Sequence, residues 1–356
     1  MKKTLNNAMR LMFLCWVALS ALQAHAQDPQ LSQYYAAPLY LNPAFTGNLD
    51  YDCRKLPASR VRFVSNYRSQ YAGSLQTYMT SLDIRSKNGN WGYGMLVYQD
   101  RQDLSSISSA PLQTYQASGL VSYKVTVLND WKFHSGLQLG YLARTLNWDG
   151  FIFPNQLEAS GVVRPSSENF SSTTKGGFDA SAGVLIYNSD FYMGIATHHL
   201  NQVNMSLTEE TSRWPTKIDV HTGYRIPLKK QRGFARRGSD KSITPVIHYK
   251  RQLNTQQLDI GTYFNYEPAV LGLWYRGVPF SKGPDGRLQQ DALVVLAGLR
   301  APTDYGLFKV GLSYDFPTSR GSTTFGRTFE LSLAYQFIDE RCRKRIAYKQ
   351  IPCPGL

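Results

Sequence analysis

The residues of this chain that could do chemistry are its histidines and carboxylates. His134, His198, His199, His221 and His248 are the types that shuttle protons or ligate metals, and Asp83, Asp179, Asp219, Asp259 and Glu330 could serve beside them. Their spacing does not bear that out. The chain has no H-E-x-x-H pair, no G-x-S-x-G elbow and no glycine loop built to cradle phosphate. Histidines scattered this way are more simply hydrogen-bonded polar residues, so no catalytic, cofactor-binding or metal-binding residue is expected, and no enzyme activity. The cysteines add little. Cys15 follows the bulky Leu14 inside an apolar run, which argues against lipidation; Cys53, Cys342 and Cys353 remain. Cys342 and Cys353 are near neighbours and the favoured disulfide, with Cys53 as a competitor. Zinc would need a further Cys or His at ligand spacing, and none is there.

What positions these side chains is a repeated alternation. In Phe308–Phe316, Phe308, Val310, Leu312, Tyr314 and Phe316 share one face and Lys309, Gly311, Ser313 and Asp315 the other. Thr328–Phe337 reads the same way, and a period of two marks a strand. Similar stretches recur from Val61 onward, which predicts about 14 antiparallel strands, each long enough to cross an outer membrane when tilted. One face is Phe, Leu, Val, Tyr and Ile. The opposite face carries Arg62, Arg68, Asp83, His134, Asp179, Asp219, His221, Arg225, His248, Lys250, Asp259 and Glu330. Apolar outward and polar inward fits a transmembrane β-barrel, although a soluble sandwich would alternate alike. Loop lengths separate the two. Long connections, such as Leu146–Lys175 and His199–Trp214, fall on one side, and tight turns, such as Asn188–Asp190, on the other.

Residues 1–26 read as a secretory signal: Lys2, Lys3 and Arg10, an apolar run from Leu11 to Leu22, then Ala24-His25-Ala26. The division expected is a signal at 1–26, an extended segment at 27–59, a barrel at 60–337 and a basic Cys/Pro-bearing tail at 338–356. Lysine and arginine number 39 against 25 acidic residues. In an exported barrel that excess points to anionic lipid or an acidic protein rather than to nucleic acid. Much of it lies in Lys229–Lys241, a long connection on the short-turn side. Lys229, Lys230, Arg232, Arg236 and Arg237 there are either a solvated loop or a docking site for an acidic partner.

The opening stretch Gln27–Gly47 stands apart. Pro29, Pro38, Pro43 and Gly47 interrupt it, so no continuous helix runs through it, yet it carries Tyr34, Tyr35, Leu39, Tyr40, Leu41 and Phe45. So apolar a segment must lie against something, and burial of those side chains alone falls short of its ordering cost. It is expected to pack at the short-turn mouth of the barrel with its aromatics inward and Asn42-Pro43 as a turn, held partly by hydrogen bonds. Asp28, Pro29, Gln33, Tyr34, Asn42, Pro43, Phe45 and Gly47 are its candidate plug or partner-contact residues.

The wording of this stretch, D-P-Q-x-S-Q-Y followed by L-N-P-A-x-x-G, resembles the opening of the PorP/SprF family of type IX secretion outer-membrane proteins. Asn66-Tyr67-Arg68-Ser69-Gln70-Tyr71 and His199-Leu200-Asn201-Gln202 resemble later blocks of that family. The resemblance implies a non-catalytic outer-membrane barrel that helps export or anchor cargo proteins or gliding adhesins in Bacteroidetes. Its partners would be outer-membrane lipid, other secretion components and a secreted surface protein or adhesin. Both termini would face the periplasm. The alternative is a channel or a FadL-like small-molecule transporter.

Overall fold

A computed structural model describes residues 28–338, apart from positions 50–51, 54–55, 58, 104–110, 129, 149–150, 152–155, 157–172, 208–210, 229–240, 254, 283–287, 304 and 319–326. The alternating stretches form fourteen long strands. They are β1 (Ser59–Gln70), β2 (Leu75–Arg85), β3 (Trp91–Asp103), β4 (Pro111–Leu128), β5 (Trp131–Leu146), β6 (Thr174–Tyr187) and β7 (Phe191–His198). The second half comprises β8 (Lys217–Tyr224), β9 (Lys241–Gln252), β10 (Thr255–Tyr266), β11 (Ala269–Lys282), β12 (Leu288–Pro302), β13 (Gly306–Pro317) and β14 (Thr328–Ile338). Each pairs antiparallel with the next, and β14 pairs with β1 through Glu330↔Arg68 and Gln336↔Arg62, so the sheet closes. Ile226–Pro227 adds a short extra strand along β9, and Asp52–Cys53 pairs with Leu56–Pro57 ahead of β1. Closure removes both sheet edges, which pairs the ladder within the protein.

Burial decides between lipid and water. Phe178 is 79% exposed and Leu139 70%, whereas Asp83 and His221 on the opposite face are 0%. A soluble sandwich buries its apolar face; this barrel shows it to the outside and encloses its charges, as a lipid solvent requires. All the polar residues expected on the inner face that lie in the fourteen strands occupy inward positions of the alternation. No helix among the described residues is long and apolar enough to cross a membrane.

The turn chemistry follows the sequence. In the β6–β7 turn, Asn188 Oδ1 accepts from Asp190 N at 2.9 Å and Phe191 N at 2.8 Å. Gly89 in the β2–β3 turn has φ 76°, a left-handed value that favours glycine. Several strands run on at the long-loop side: β3 continues through Asp100 to Asp103, and β11 through Gly277 to Lys282. Backbone pairing there continues beyond the stretch in which apolar alternation is legible.

The opening segment departs most from expectation. It is not extended but coiled into three single turns: a 3₁₀ turn at Tyr34–Ala36, an α turn at Pro38–Leu41 and a 3₁₀ turn at Pro43–Phe45. Pro38 and Pro43 each open one of them, where a missing N–H and a fixed φ cost nothing. Proline therefore prevents one long helix while favouring short ones. Nor is the segment confined to the short-turn mouth. Asp28 lies beside Gln252 and Trp214 at the long-loop end, and Leu49 beside Arg85 at the short-turn end, so the chain runs the length of the lumen before entering β1.

Candidate functional site

The lumen and the segment inside it make the site. Two apolar clusters flank the segment. On one side Tyr34, Tyr35, Leu41 and Phe45 pack with Tyr263, Trp274, Val294 and Leu296; on the other Leu31, Ala37 and Leu39 pack with Leu96, Tyr98, Met205 and Trp214. The first cluster explains why Ala292–Leu299 is apolar on both faces: Leu293 and Val295 point outward while Val294 and Leu296 receive the aromatics of the segment.

Polar contacts supply what apolar burial does not. At the long-loop end the Asp28 carboxylate accepts from Trp214 Nε1 at 2.8 Å and Gln252 Nε2 at 3.1 Å. Lys217 Nζ lies 2.9 Å from it and His199 Nε2 3.0 Å, and the Asp28 backbone N–H donates to Gln252 Oε1 at 3.0 Å. Burial by itself would raise the Asp28 carboxyl, but His199 and Lys217 outweigh it and hold the group well below the ordinary carboxylate range. Burial would likewise lower His199, yet Asp28 and Asp179 raise it to about 9.

Further along, Ser32 enters a cage of charges. Its N–H donates to Glu330 at 2.7 Å and its hydroxyl to Asp315 at 2.7 Å, while Arg276 donates to Ser32 Oγ at 2.9 Å and Arg68 also reaches it. Arg68 joins Asp315 at 2.9 Å to Glu330 at 3.0 Å, and Arg276 joins Asp259 at 3.3 Å to Asp315 at 2.9 Å. Gln33 fits the adjacent gap, donating to the Glu330 carbonyl at 2.9 Å and accepting from Ser332 Oγ at 2.6 Å. The Tyr34 ring lies 4.5 Å from that of His248, and the Pro29 carbonyl accepts from Tyr40 at 2.7 Å.

At mid-depth Asn42 does more than turn the chain. Its Oδ1 accepts from Ala44 N at 2.9 Å, capping the 3₁₀ turn, while Nδ2 donates to the carbonyls of Val184 at 3.1 Å and Ile195 at 3.3 Å, partners in the adjacent strands β6 and β7. Glycines make room for it. A Cβ on Gly183 would fall 2.0 Å from Asn42 Oδ1, and one on Gly136 2.3 Å from the Pro43 carbonyl carbon. Phe45 stacks on His221 at 5.3 Å, and Gly47, at φ 63°, donates to Asp83 at 2.7 Å.

Every expected segment residue is thus inside the barrel. The basic residues Lys229, Lys230, Arg232, Arg236 and Arg237, and the pair Cys342 and Cys353, lie outside the described residues, as does the 339–356 tail. Cys53 pairs through its backbone with Leu56. No group of three or more His, Cys, Asp or Glu suited to a metal occurs among the described residues. Sequence reading missed Ser32, Lys217, Trp214, Gln252 and Arg276. Lys217 and Gln252 sit at the outer limits of their strands, where alternation alone did not define an end. The wall glycines carried a usable signal, because glycine inside a strand often marks a close backbone approach.

A family model described as type IX secretion system membrane protein PorP/SprF matches residues 23–335. The chain belongs to that family. No curated protein matches it. Among solved structures it is similar to the Ralstonia pickettii toluene transporter TbuX, at 10% identity over 85% of this chain and 93% of that one, with a TM-score of 0.47. It is also similar to a Pseudomonas aeruginosa FadL homologue, at 10% identity over 83% and 92%, with a TM-score of 0.45. This PorP/SprF chain is therefore a type IX secretion membrane protein built as an outer-membrane barrel.

Proposed function

We propose that this PorP/SprF barrel is a closed, non-catalytic element of the secretion machinery that helps export or anchor cargo proteins or adhesins through protein contacts. The observation that carries the reading is the filled lumen. A segment fixed from Asp28 to Gly47 by ion pairs, ring contacts and backbone hydrogen bonds leaves the loops and the mouths as the working surfaces. The short turns and the tail face the periplasm, the long loops face outward, and Lys229, Lys230, Arg232, Arg236 and Arg237 dock an acidic periplasmic component. In that orientation Asp28 lies toward the cell exterior while β14 ends on the periplasmic side. The two ends of the described chain then lie at opposite mouths, and the expectation that both termini face the periplasm does not hold for the start of the segment. Channel or FadL-like transport would require the segment to leave.

Affinity purification from native outer membrane tests this. The wild-type protein should bring down secretion components together with a surface protein. Replacing the five basic residues by serine should remove the periplasmic component and leave the barrel folded. Recovery of neither class of protein with the wild type would contradict the proposal.

A further inference from the structure

The four side chains around the Asp28 carboxylate all approach it as donors, and they come from separate parts of the wall. His199 and Trp214 belong to the β7–β8 connection, Lys217 to the start of β8 and Gln252 to the end of β9. Each is held by groups other than Asp28. His199 Nδ1 lies 2.9 Å from Asp179; Gln252 Nε2 also donates to the Pro215 carbonyl at 3.2 Å; Lys217 Nζ is 3.6 Å from Asp219. The Trp214 backbone N–H donates to Val203 O at 2.8 Å, and the Arg144 guanidinium lies 4.3 Å over its ring.

The backbone is set as well. His199 has φ 56° and Gln202 φ 46°, left-handed values unusual for non-glycine residues. Local bonds hold that conformation: Leu200 N donates to Ala180 O at 2.9 Å, Gln202 N to His199 O at 3.1 Å and Thr216 Oγ1 to His199 O at 3.3 Å. The donors are therefore held by contacts that do not involve the Asp28 carboxylate, although Trp214 also packs on Leu31, Ala37 and Leu39 of the segment and Lys217 Nζ lies 4.3 Å from the Tyr40 ring. Without a carboxylate between them they would be buried and stranded, which is costly.

We infer that the barrel carries a carboxylate-binding site made of His199, Trp214, Lys217 and Gln252, which Asp28 fills in cis and which accepts a carboxylate in trans when Asp28 is absent. Asp28 is then an internal occupant of a receptor. An acidic side chain or a chain terminus of a protein entering beneath the 199–216 connection would compete with it and free the long-loop end of the segment. The three neighbouring carboxylates, Asp179, Asp219 and Asp100, are matched only by Arg144 together with Lys217 and a protonated His199, so the site has no surplus positive charge and selectivity rests on the hydrogen-bond geometry of a planar carboxylate.

The test uses the full-length protein in detergent and acetate as the probe. In Asp28→Ala, acetate at a tenfold excess over its dissociation constant should raise the unfolding midpoint by roughly 3 °C relative to chloride at equal ionic strength. The wild type, whose site is filled, should not respond, and adding Lys217→Gln to Asp28→Ala should abolish the response. Identical midpoints in acetate and chloride, or an acetate response that survives loss of Lys217, would overturn the inference. If Asp28→Ala is not recovered folded, refolding it into detergent replaces the midpoint. A several-fold higher folded yield in acetate than in chloride supports the site, and equal yields reject it. Because no secretion component is involved, failure here leaves the proposed function standing.

Discussion

Arg68→Met should destabilise the folded barrel by about 3–5 kcal/mol, the range for removing one partner of a buried ion pair. Arg68 is 2% exposed and serves two carboxylates at once, Asp315 and Glu330, the latter 0% exposed. Methionine fills much of the same volume, so the loss comes from carboxylates left without their cation rather than from a void. Arg276 still neutralises Asp315 at 2.9 Å, which leaves Glu330 as the stranded group. The thermal unfolding midpoint in detergent should fall accordingly. Adding Glu330→Gln should recover a large part of it, because the two residues are directly coupled. A midpoint within a degree of wild type would mean that water or another cation reaches Glu330.

Gly183→Val should dislodge the segment while leaving the wall paired. Valine suits a strand, but its Cβ would overlap Asn42 Oδ1 at 2.0 Å on a site that Gly136 also keeps open. Asn42 would lose its bonds to Val184 and Ile195, and the Pro43–Phe45 turn its cap. Limited proteolysis should then cut rapidly between Gln33 and Phe45 in the variant and slowly in the wild type, with the barrel resisting in both. Equal protection in the two proteins would show that the cradle has room to spare.

The wall was legible in the sequence because lipid makes alternation strict. Phe308, Val310, Leu312, Tyr314 and Phe316 have to share a face, and the ladder that carries them has to close. The filling was legible only in outline. Six large apolar side chains in Gln27–Gly47 say that the segment is buried, but not how far it reaches. Its depth is set by partners distant in sequence, such as Ser32 with Glu330 and Asn42 with Val184, which no local pattern links. Proline misled in a specific way. Pro38 and Pro43 exclude a continuous helix, and that suggested an extended chain, although the same residues are favoured at the first position of a short turn. Charge was similarly ambiguous. Arg68, Asp259 and Glu330 could be placed inside by alternation, but only the fold shows that Arg68 pairs with Glu330 and Asp315, and Asp259 with Arg276, around Ser32.

Single-channel recording of the intact protein in planar bilayers tests the central claim most directly. A barrel whose lumen is filled from Asp28 to Leu49 should insert without conductance steps, and deleting residues 28–47 should produce them. Stable open-pore currents from the intact protein would contradict the closed, protein-contact account and favour transport through the lumen.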